Sequence, residues 1–204
     1  MEQTAPKRGR PSQSEAGLKR DAVLAAATNL FLTHGYESVT TRAVAQEAGV
    51  STRTLFNLFT DKSSLFLACL ERLSPKEGPV LSGADPQEVL AGFTVHMLGL
   101  MSEPQGLAFS RVVISDGSRF PELAEASFGI QDAQFVQPLA GYLRGIGIEA
   151  PSQDRMARLY IAMSISEWMR SITYHLPLPT KEDTARHADF VAAIFLSGVP
   201  RSAA

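Results

Sequence analysis

Apolar residues recur at helical spacing along almost the whole chain. The first run has the three- and four-residue period of a helix, with Val23, Ala26, Ala27, Leu30 and Phe31. Gly35 ends this predicted helix. Two short helices follow, one capped by Thr40 and the next by Ser51 or Thr52, and a fourth helix begins after Thr60. No stretch of useful length alternates as a strand does, so the pattern predicts an all-α protein.

Proline and glycine clusters divide the chain. Residues 1–16 are rich in Pro, Gly, Ser and basic side chains without periodic apolar residues, which predicts a flexible basic arm. Breaks at 74–79 and 83–86 separate an N-terminal domain, residues 17–74, from a larger C-terminal domain, residues 75–204. The first domain includes the start of a connecting helix. Five longer helices are predicted in the second, over about 86–102, 104–117, 121–146, 152–175 and 181–198.

The two short helices and the tight turn at residues 48–51 have the spacing of a helix-turn-helix. In this motif the first helix braces the second, which lies in the major groove of DNA with its N-terminal residues facing base edges. The second helix carries Arg53, which suits guanine, and Asn57, which suits adenine. Thr52 and Thr54 suit phosphates or a thymine methyl group. Taken alone, the same residues also fit a compact helical bundle with a solvated arginine.

Charge is distributed unevenly along the 204 residues. The net charge is -2, yet residues 1–75 hold nine Lys and Arg against seven Asp and Glu, while residues 76–204 hold ten against fourteen. Five basic residues stand within the first twenty positions: Lys7, Arg8, Arg10, Lys19 and Arg20. A basic end on a more acidic body fits a DNA-binding domain.

Several classes of protein are disfavoured by composition and spacing. No apolar stretch approaches the roughly 18 to 20 residues of a membrane span, and the N-terminus has no apolar signal core, so we expect a cytoplasmic protein without a membrane partner. The single cysteine, Cys69, lies in an apolar helical pattern and is expected to be a buried thiol. The four histidines lack metal-ligand spacing, and no catalytic motif is present. We therefore expect no enzyme activity, no cofactor and no metal.

An ordered set of features from residue 18 to 66 resembles the DNA-binding domain of the TetR family. The matching stretches are Val23–Ala27, Leu30–Phe31, Gly35–Tyr36, Thr40–Ser51, Thr54–Phe56 and Phe59–Lys62. The resemblance implies an all-helical homodimer with an N-terminal three-helix helix-turn-helix domain. It also implies a larger helical domain that binds an effector and dimerises. The partner of such a dimer is double-stranded, near-palindromic operator DNA, read in successive major grooves roughly 34 to 36 Å apart.

The family's roles transfer by position. Thr40 would cap the second helix, while Thr41 and Arg42 would touch phosphate or a flanking base. Thr52, Arg53, Thr54 and Asn57 would meet the operator, and Lys62 would hold a phosphate at a helix N-terminus. This chain departs from the family where Phe56 replaces a common phosphate-binding tyrosine and where Leu58 replaces a frequent polar residue.

The arm contains Lys7-Arg8-Gly9-Arg10-Pro11, which is similar to the core of an AT-hook. Arg8 and Arg10 flank a glycine and suit a narrow A·T-rich minor groove, where negative potential is concentrated. The alternative is a basic tail that adds only nonspecific attraction to DNA.

The C-terminal domain offers candidates for an effector pocket and a dimer interface. The pocket candidates are bulky or polar side chains on interior helix faces: Phe93, His96, Met97, Met101, Phe109, Val113, Phe128, Phe135, Met163, Glu167 and Trp168. The alternative for such a stripe is plain core. The interface candidates lie on the last two helices: Tyr160, Ile161, Ser164, Ile165, Phe190, Ala193, Ile194 and Ser197.

Two stretches of the C-terminal domain resemble one branch of the family, which includes regulators tied to efflux and to lipophilic or aromatic compounds. They are Arg111–Ile114 and Arg119–Ala124. The function predicted is a ligand-responsive repressor, released from its operator by a small apolar or aromatic molecule. The alternative is a helical ligand-binding or partner-binding protein whose first domain has lost DNA recognition, for which Phe56 and Leu58 are the main arguments.

Overall fold

The computed structural model describes residues 13–73 and 78–199, and every regular element in these two ranges is a helix. The all-α prediction is confirmed. The chain divides into two compact units with the boundary between Cys69 and Leu70. The predicted boundary, between residues 74 and 75, lies five residues after the observed one. The helix Lys62–Leu73 crosses the observed boundary, so the sequence shows no break there. No helix in the described ranges is long and apolar enough to cross a membrane.

From residue 13 onward, the N-terminal unit is formed by three helices and most of a fourth. Their bounds are Gln13–Ser38 (α1), Thr41–Glu47 (α2), Thr52–Leu58 (α3) and Lys62–Leu73 (α4). Gly35 interrupts α1 with φ 77° and ψ 168°, as its position in the sequence predicts. The beginning of α1 was predicted near Leu18, and residues 13–16 were assigned to the flexible arm. Both predictions are wrong, since α1 begins at Gln13, and Lys19 Nζ lies 2.7 Å from Glu15 Oε1 one turn earlier.

Three aromatic rings form the centre of the N-terminal unit. Phe31 stacks on Tyr36 with 5.7 Å between ring centroids, and Phe66 meets Phe31 edge-on at 5.1 Å. Cys69 is buried beside them in α4, and its thiol donates to the carbonyl of Leu24 at 3.8 Å. The prediction of a buried thiol is confirmed. This core ties α1 to α4 and supports the two short helices between them.

Over residues 78–199 the C-terminal unit contains seven helices and one π turn. Their bounds are Pro86–Ser102 (α5), Pro104–Asp116 (α6), Pro121–Gln131 (α7), Asp132–Val136 (the π turn), Gln137–Gly145 (α8), Gln153–Ser164 (α9), Ser166–Thr173 (α10) and Lys181–Gly198 (α11). The core lies between α5, α8, α9 and α11, with Phe135 and Val136 of the π turn. The ring of Tyr160 meets that of Phe195 edge-on at 5.0 Å, and the ring of Phe93 lies 6.1 Å from it.

Two of the predicted long helices are divided. The helix predicted over 121–146 contains the π turn, in which Gln137 N–H donates to the carbonyl of Asp132 five residues earlier. Pro138 has no N–H to continue the α-helical ladder, so this wider turn accommodates it. The helix predicted over 152–175 breaks at Ile165, next to Ser164, whose hydroxyl donates to the carbonyl of Tyr160 at 2.9 Å. A serine bonded to the preceding turn in this way bends a helix.

A chain of buried hydroxyl groups joins α5 to α9. Thr94 Oγ1 lies 2.9 Å from both Tyr160 Oη and Ser164 Oγ, and Tyr160 Oη donates to the carbonyl of Leu90 at 2.7 Å. Burial raises the pKa of Tyr160 to about 12, so the phenol remains protonated and keeps its donor.

The variant Tyr160→Phe is expected to lower the free energy of unfolding by about 1 to 3 kcal/mol, because it leaves buried hydrogen-bonding groups without their partner. Chemical denaturation followed by Trp168 fluorescence measures the change in the C-terminal unit. The matched control is Tyr174→Phe, since Tyr174 is 69% exposed and should tolerate the change. Equal stability of the two variants would contradict the expectation.

Candidate nucleic-acid interface and ligand cavity

The turn between α2 and α3 is a closed hydrogen-bonded unit. Gly49 has φ 65°, its N–H donates to the carbonyl of Gln46 at 3.1 Å, and Val50 N–H donates to the carbonyl of Ala45 at 2.9 Å. These two bonds satisfy the last carbonyls of α2 in a Schellman motif, which requires a left-handed residue where glycine stands. The angle between the two helices is therefore set by local backbone geometry.

The helix α3 has one face that is exposed and mainly polar and an opposite face that is apolar and buried. Ser51, and not Thr52, is the cap: its hydroxyl accepts from Thr54 N at 3.1 Å. Leu55 is fully buried beneath the helix. Thr52, Arg53, Phe56 and Asn57 are exposed, while Thr54 is half-buried with its hydroxyl 2.9 Å from Ser51 Oγ. Leu58 is half-buried. Arg53, Phe56 and Asn57 share one face, because they are three and four positions apart.

The other predicted contacts lie at helix N-termini of the same unit. Thr40 caps α2, accepting from Ala43 N at 3.1 Å, as predicted. Thr41 is half-buried and Arg42 is exposed in the first turn of α2. Lys62 begins α4 with its ammonium 4.3 Å from the ring centroid of Tyr36, and it donates to the carbonyl of Glu37 at 3.1 Å. Arg8 and Arg10 lie outside the described residues.

Asp61 caps α4 and gives the unit a pH-dependent contribution to stability. Its Oδ1 accepts from Ser64 N at 2.7 Å and from the Ser63 hydroxyl at 2.9 Å. These bonds lower the pKa of Asp61, the Ser64 backbone bond most strongly. Because the folded-state pKa is below the unfolded one, the stabilisation is complete above the ordinary carboxyl pKa. It is lost as pH falls through the lowered folded-state value.

The variant Asp61→Ala is expected to lower the free energy of unfolding of the N-terminal unit by about 1 kcal/mol at neutral pH. The difference from wild type should shrink as pH falls below about 4, since protonation removes the cap from the wild type too. Denaturation at a series of pH values measures both effects. Glu47→Ala removes an exposed carboxylate from the C-terminal end of α2 and serves as the charge-matched control. A pH-independent difference would contradict the role of the carboxylate.

The C-terminal unit contains an apolar cavity of about 230 Å³. Five of the predicted pocket residues line it: Met101, Phe109, Val113, Phe135 and Trp168. The other side chains around it include Ile165 and Met169 and the polar residues Ser110, Ser127, Gln131 and Gln134. A second cavity, of about 430 Å³, lies beside α10 and the start of α11, and Glu167, Arg170 and Asp183 are among its lining residues.

The remaining pocket predictions are not supported by the structure. Phe93 and Met97 are buried in the core and line neither of these cavities. Met163 packs against the same core, and Phe128 is 58% exposed. Glu167 is exposed and lies 2.8 Å from Arg170 Nη2, at the second cavity. For the apolar cavity these predictions are wrong, because an apolar side chain suits core and cavity equally well and Glu167 lies at the second cavity. His96 lines neither cavity, although its Nε2 is buried without a hydrogen-bond partner.

The predicted dimer residues separate into an exposed group and a buried one. On α11, Phe190 is 62% exposed and Ile194 is 44% exposed, with Ala193 and Ser197 also exposed between and beyond them. Tyr160 and Ser164 on α9 are fully buried in the hydroxyl chain described above, so they are not available to a partner and that part of the prediction is wrong. Ile161 and Ile165 are half-buried against the core.

The sequence reasoning missed several residues that lie beside these sites. Leu159 is 52% exposed on α9, one position before the buried Tyr160. Gln134 lines the apolar cavity from within the π turn. Proline at position 138 is the signal that could have indicated a distortion there. No local signal distinguishes Leu159 from its apolar neighbours, because exposure depends on how α9 packs.

A helix-turn-helix whose second helix is capped and exposed, followed by a helical domain that contains an apolar cavity, defines a helix-turn-helix regulator. Residues 23–69 match the model for bacterial regulatory proteins of the tetR family. Residues 88–198 match the C-terminal domain of AefR-like transcriptional repressors. The chain therefore belongs to the TetR family, whose members are DNA-binding transcription factors and not enzymes. The predicted family membership is confirmed.

Individual relatives agree with this assignment. The transcriptional repressor AcnR of Corynebacterium diphtheriae is 31% identical over 85 residues, covering 42% of this chain and 45% of that protein. The matched stretches span less than half the length of the curated relatives. The structure of the flavonoid-responsive regulator FrrA is 26% identical with a TM-score of 0.71, covering 92% of this chain and 100% of that chain. A regulator from Mesorhizobium loti, 19% identical, has the same fold, with a TM-score of 0.72 over 90% of this chain and 98% of its own.

Proposed function

We propose that the protein is a dimeric repressor that binds a near-palindromic operator and is released from it by a small apolar or aromatic ligand. The observation that carries the proposal is the face of α3 formed by Arg53, Phe56 and Asn57. These side chains are exposed on a helix that is anchored by the buried Leu55 and capped at Ser51. Such a face has the shape and chemistry that major-groove recognition needs.

Each exposed side chain of α3 has a distinct role in this proposal. Arg53 donates two hydrogen bonds to O6 and N7 of guanine, and Asn57 pairs with adenine. The ring of Phe56, half of which is exposed, contacts a thymine methyl group, so the replacement of tyrosine exchanges a phosphate contact for an apolar base contact. Thr52 and Thr54 lie at the first turn of the helix near the DNA backbone.

Contacts to the DNA backbone are proposed to come from the N-termini of α2 and α4. Thr41 and Arg42 follow the cap of α2, where free N–H groups and the helix dipole favour phosphate. The ammonium of Lys62 is held at the beginning of α4 and adds positive charge there. Arg8 and Arg10 of the arm are proposed to enter the minor groove beside the site.

The dimer is proposed to form through the exposed apolar face of α11. Phe190 and Ile194 stand one turn apart on that face, flanked by the small residues Ala193 and Ser197, which let two helices approach closely. Leu159 offers an exposed apolar side chain on α9. A two-fold axis through this face relates the α3 helices of the two subunits, as a palindromic operator requires.

Release is proposed to follow from ligand binding in the apolar cavity of the C-terminal unit. A ligand shifts a conformational equilibrium only by its difference in affinity for the two states. The ligand must therefore bind better to a state in which the two α3 helices lie at the wrong spacing for operator DNA. The name of FrrA describes that relative as flavonoid-responsive, which supports a small aromatic effector here.

The first test is DNA binding by the purified full chain. DNA upstream of its own gene is titrated with protein, in the presence of excess nonspecific competitor, at several salt concentrations. The salt series is needed because counterion release inflates nonspecific affinity. We expect one site to resist competition. If neither that DNA nor any sequence selected from a random pool is held, the first unit does not read sequence, and the chain is a helical binding protein.

A further inference from the structure

The lining of the apolar cavity is uncharged. The side chains around this space of about 230 Å³ are aliphatic, aromatic, hydroxyl or amide groups, and no Asp, Glu, Lys, Arg or His is among them in the part of the chain that the structure describes. The second cavity differs, since Glu167, Arg170 and Asp183 line it. A charged ligand in the apolar cavity would lose its hydration without gaining an ion pair.

Two hydrogen-bond donors in this lining lack an acceptor. Nε2 of Gln134 and Nε1 of Trp168 are both buried without a partner. Trp168 is only 2% exposed, so its N–H lies at the wall of the cavity and away from the outer surface of the protein. By contrast, the hydroxyl of Ser127, which lines the same cavity, donates to the carbonyl of Leu123 at 2.9 Å. Buried donors without partners are rare in folded proteins, and each is costly.

The backbone around Gln134 is also unusual. Gln134 lies in the π turn Asp132–Val136, and both Gln134 and its neighbour Phe135 line the cavity. π turns inside α-helices are frequent at functional sites, where they redirect side chains. Gln134 lines only the apolar cavity, whereas Trp168 lines both cavities. Gln134 is therefore the donor that distinguishes the apolar cavity from the second one.

We infer that the ligand of this cavity is an uncharged molecule with an apolar or aromatic skeleton that carries a hydrogen-bond acceptor oxygen, placed to receive the N–H groups of Gln134 and Trp168. The inference rests on the proposed function, in which this cavity is the effector site. A pure hydrocarbon of the same shape leaves both donors unsatisfied. An acid places an unpaired negative charge among apolar groups. The cavity therefore selects for a neutral oxygen acceptor.

Three probes of nearly equal shape test the inference on the full chain without DNA. Benzophenone supplies a neutral carbonyl, diphenylmethane lacks the acceptor, and 4-benzoylbenzoate adds a carboxylate to the ketone. Trp168 is the single tryptophan of the chain, so its fluorescence, corrected for absorption by the probe, reports binding beside Trp168. Since Trp168 lines both cavities, the Gln134 variant described below assigns the binding to the apolar one. We expect benzophenone to bind roughly 5- to 10-fold more tightly than diphenylmethane. We expect the carboxylate to bind at least about 100-fold more weakly than benzophenone.

Variants identify the donor responsible. Gln134→Leu keeps the approximate size of the side chain and removes the N–H groups, so the preference for benzophenone over diphenylmethane should fall to about two-fold or less. Gln87→Leu makes the same change on an exposed position of α5 outside the cavity and should leave the preference intact. Trp168→Phe, followed by thermal stabilisation because the fluorophore is lost, should also weaken binding of the ketone.

Several results would overturn the inference. They are equal binding of ketone and hydrocarbon, tight binding of the carboxylate, a preference that survives Gln134→Leu, or no binding of any probe. Failure of the proposed function gives a different pattern. The three probes then bind in the expected order to the free protein, while DNA binding is absent or is unaffected by benzophenone.

Discussion

Replacement of Arg53 by alanine is expected to lower the affinity of the dimer for the operator by about 30-fold or more, because each of the two half-sites loses a bidentate contact with guanine that contributes about 5- to 150-fold. Binding to random DNA should weaken much less, because that binding depends on the total of phosphate contacts. The loss of affinity should be large for operators that retain the guanine contacted by Arg53. It should be small for operators in which that guanine has been replaced. Competition titrations with wild-type and base-substituted sites measure these differences.

Two further variants separate geometry from charge. Arg53→Lys keeps the positive charge but cannot form the paired hydrogen bonds of a guanidinium, so it should resemble the alanine variant in specificity. Arg144→Ala removes the same charge from an exposed position on α8, in the other unit, and should bind the operator as the wild type does. Normal discrimination between operators by Arg53→Ala would mean that α3 does not read bases through this residue.

Replacement of Phe190 by glutamate is expected to convert the dimer to monomers at micromolar concentration, raising the dissociation constant by at least about 100-fold. The physical reason is that two copies of a buried carboxylate would face each other near a two-fold axis without a compensating cation. Analytical ultracentrifugation measures the dissociation constant directly. The folded content of each subunit should be unchanged, because Phe190 is 62% exposed in the single chain.

A matched control is available for the dimer prediction. Phe128 is also an exposed phenylalanine of the C-terminal unit, and Arg158 lies 5.5 Å from its ring centroid, so Phe128→Glu places its charge next to a cation. That variant should remain a dimer. The monomeric Phe190→Glu variant should lose most of its operator affinity while still binding a half-site weakly. A dimer that withstands Phe190→Glu would place the interface elsewhere.

The N-terminal unit could be predicted from the sequence almost completely. Thr40, Gly35 and Gly49 act on backbone groups within four residues of themselves, so a cap or a helix end can be recognised without knowing what lies across the core. The exposed face of α3 followed from the same local logic, since residues three and four apart share one face once the helix is placed. The beginning of α1 was misjudged, because residues 13–16 carry no apolar period although they are helical.

In the C-terminal unit, the sequence determined that the segments are helical but not which side of each helix faces core, cavity or solvent. Leu159 and Tyr160 are adjacent in α9, yet one is 52% exposed and the other fully buried. Tyr160 faces the core formed with distant segments, where Thr94 Oγ1 lies 2.9 Å from both Tyr160 Oη and Ser164 Oγ across 66 and 70 positions of chain. α9 carries charged side chains, Asp154, Arg155 and Arg158, but these do not show which of its apolar side chains are buried, so packing between distant segments decided that.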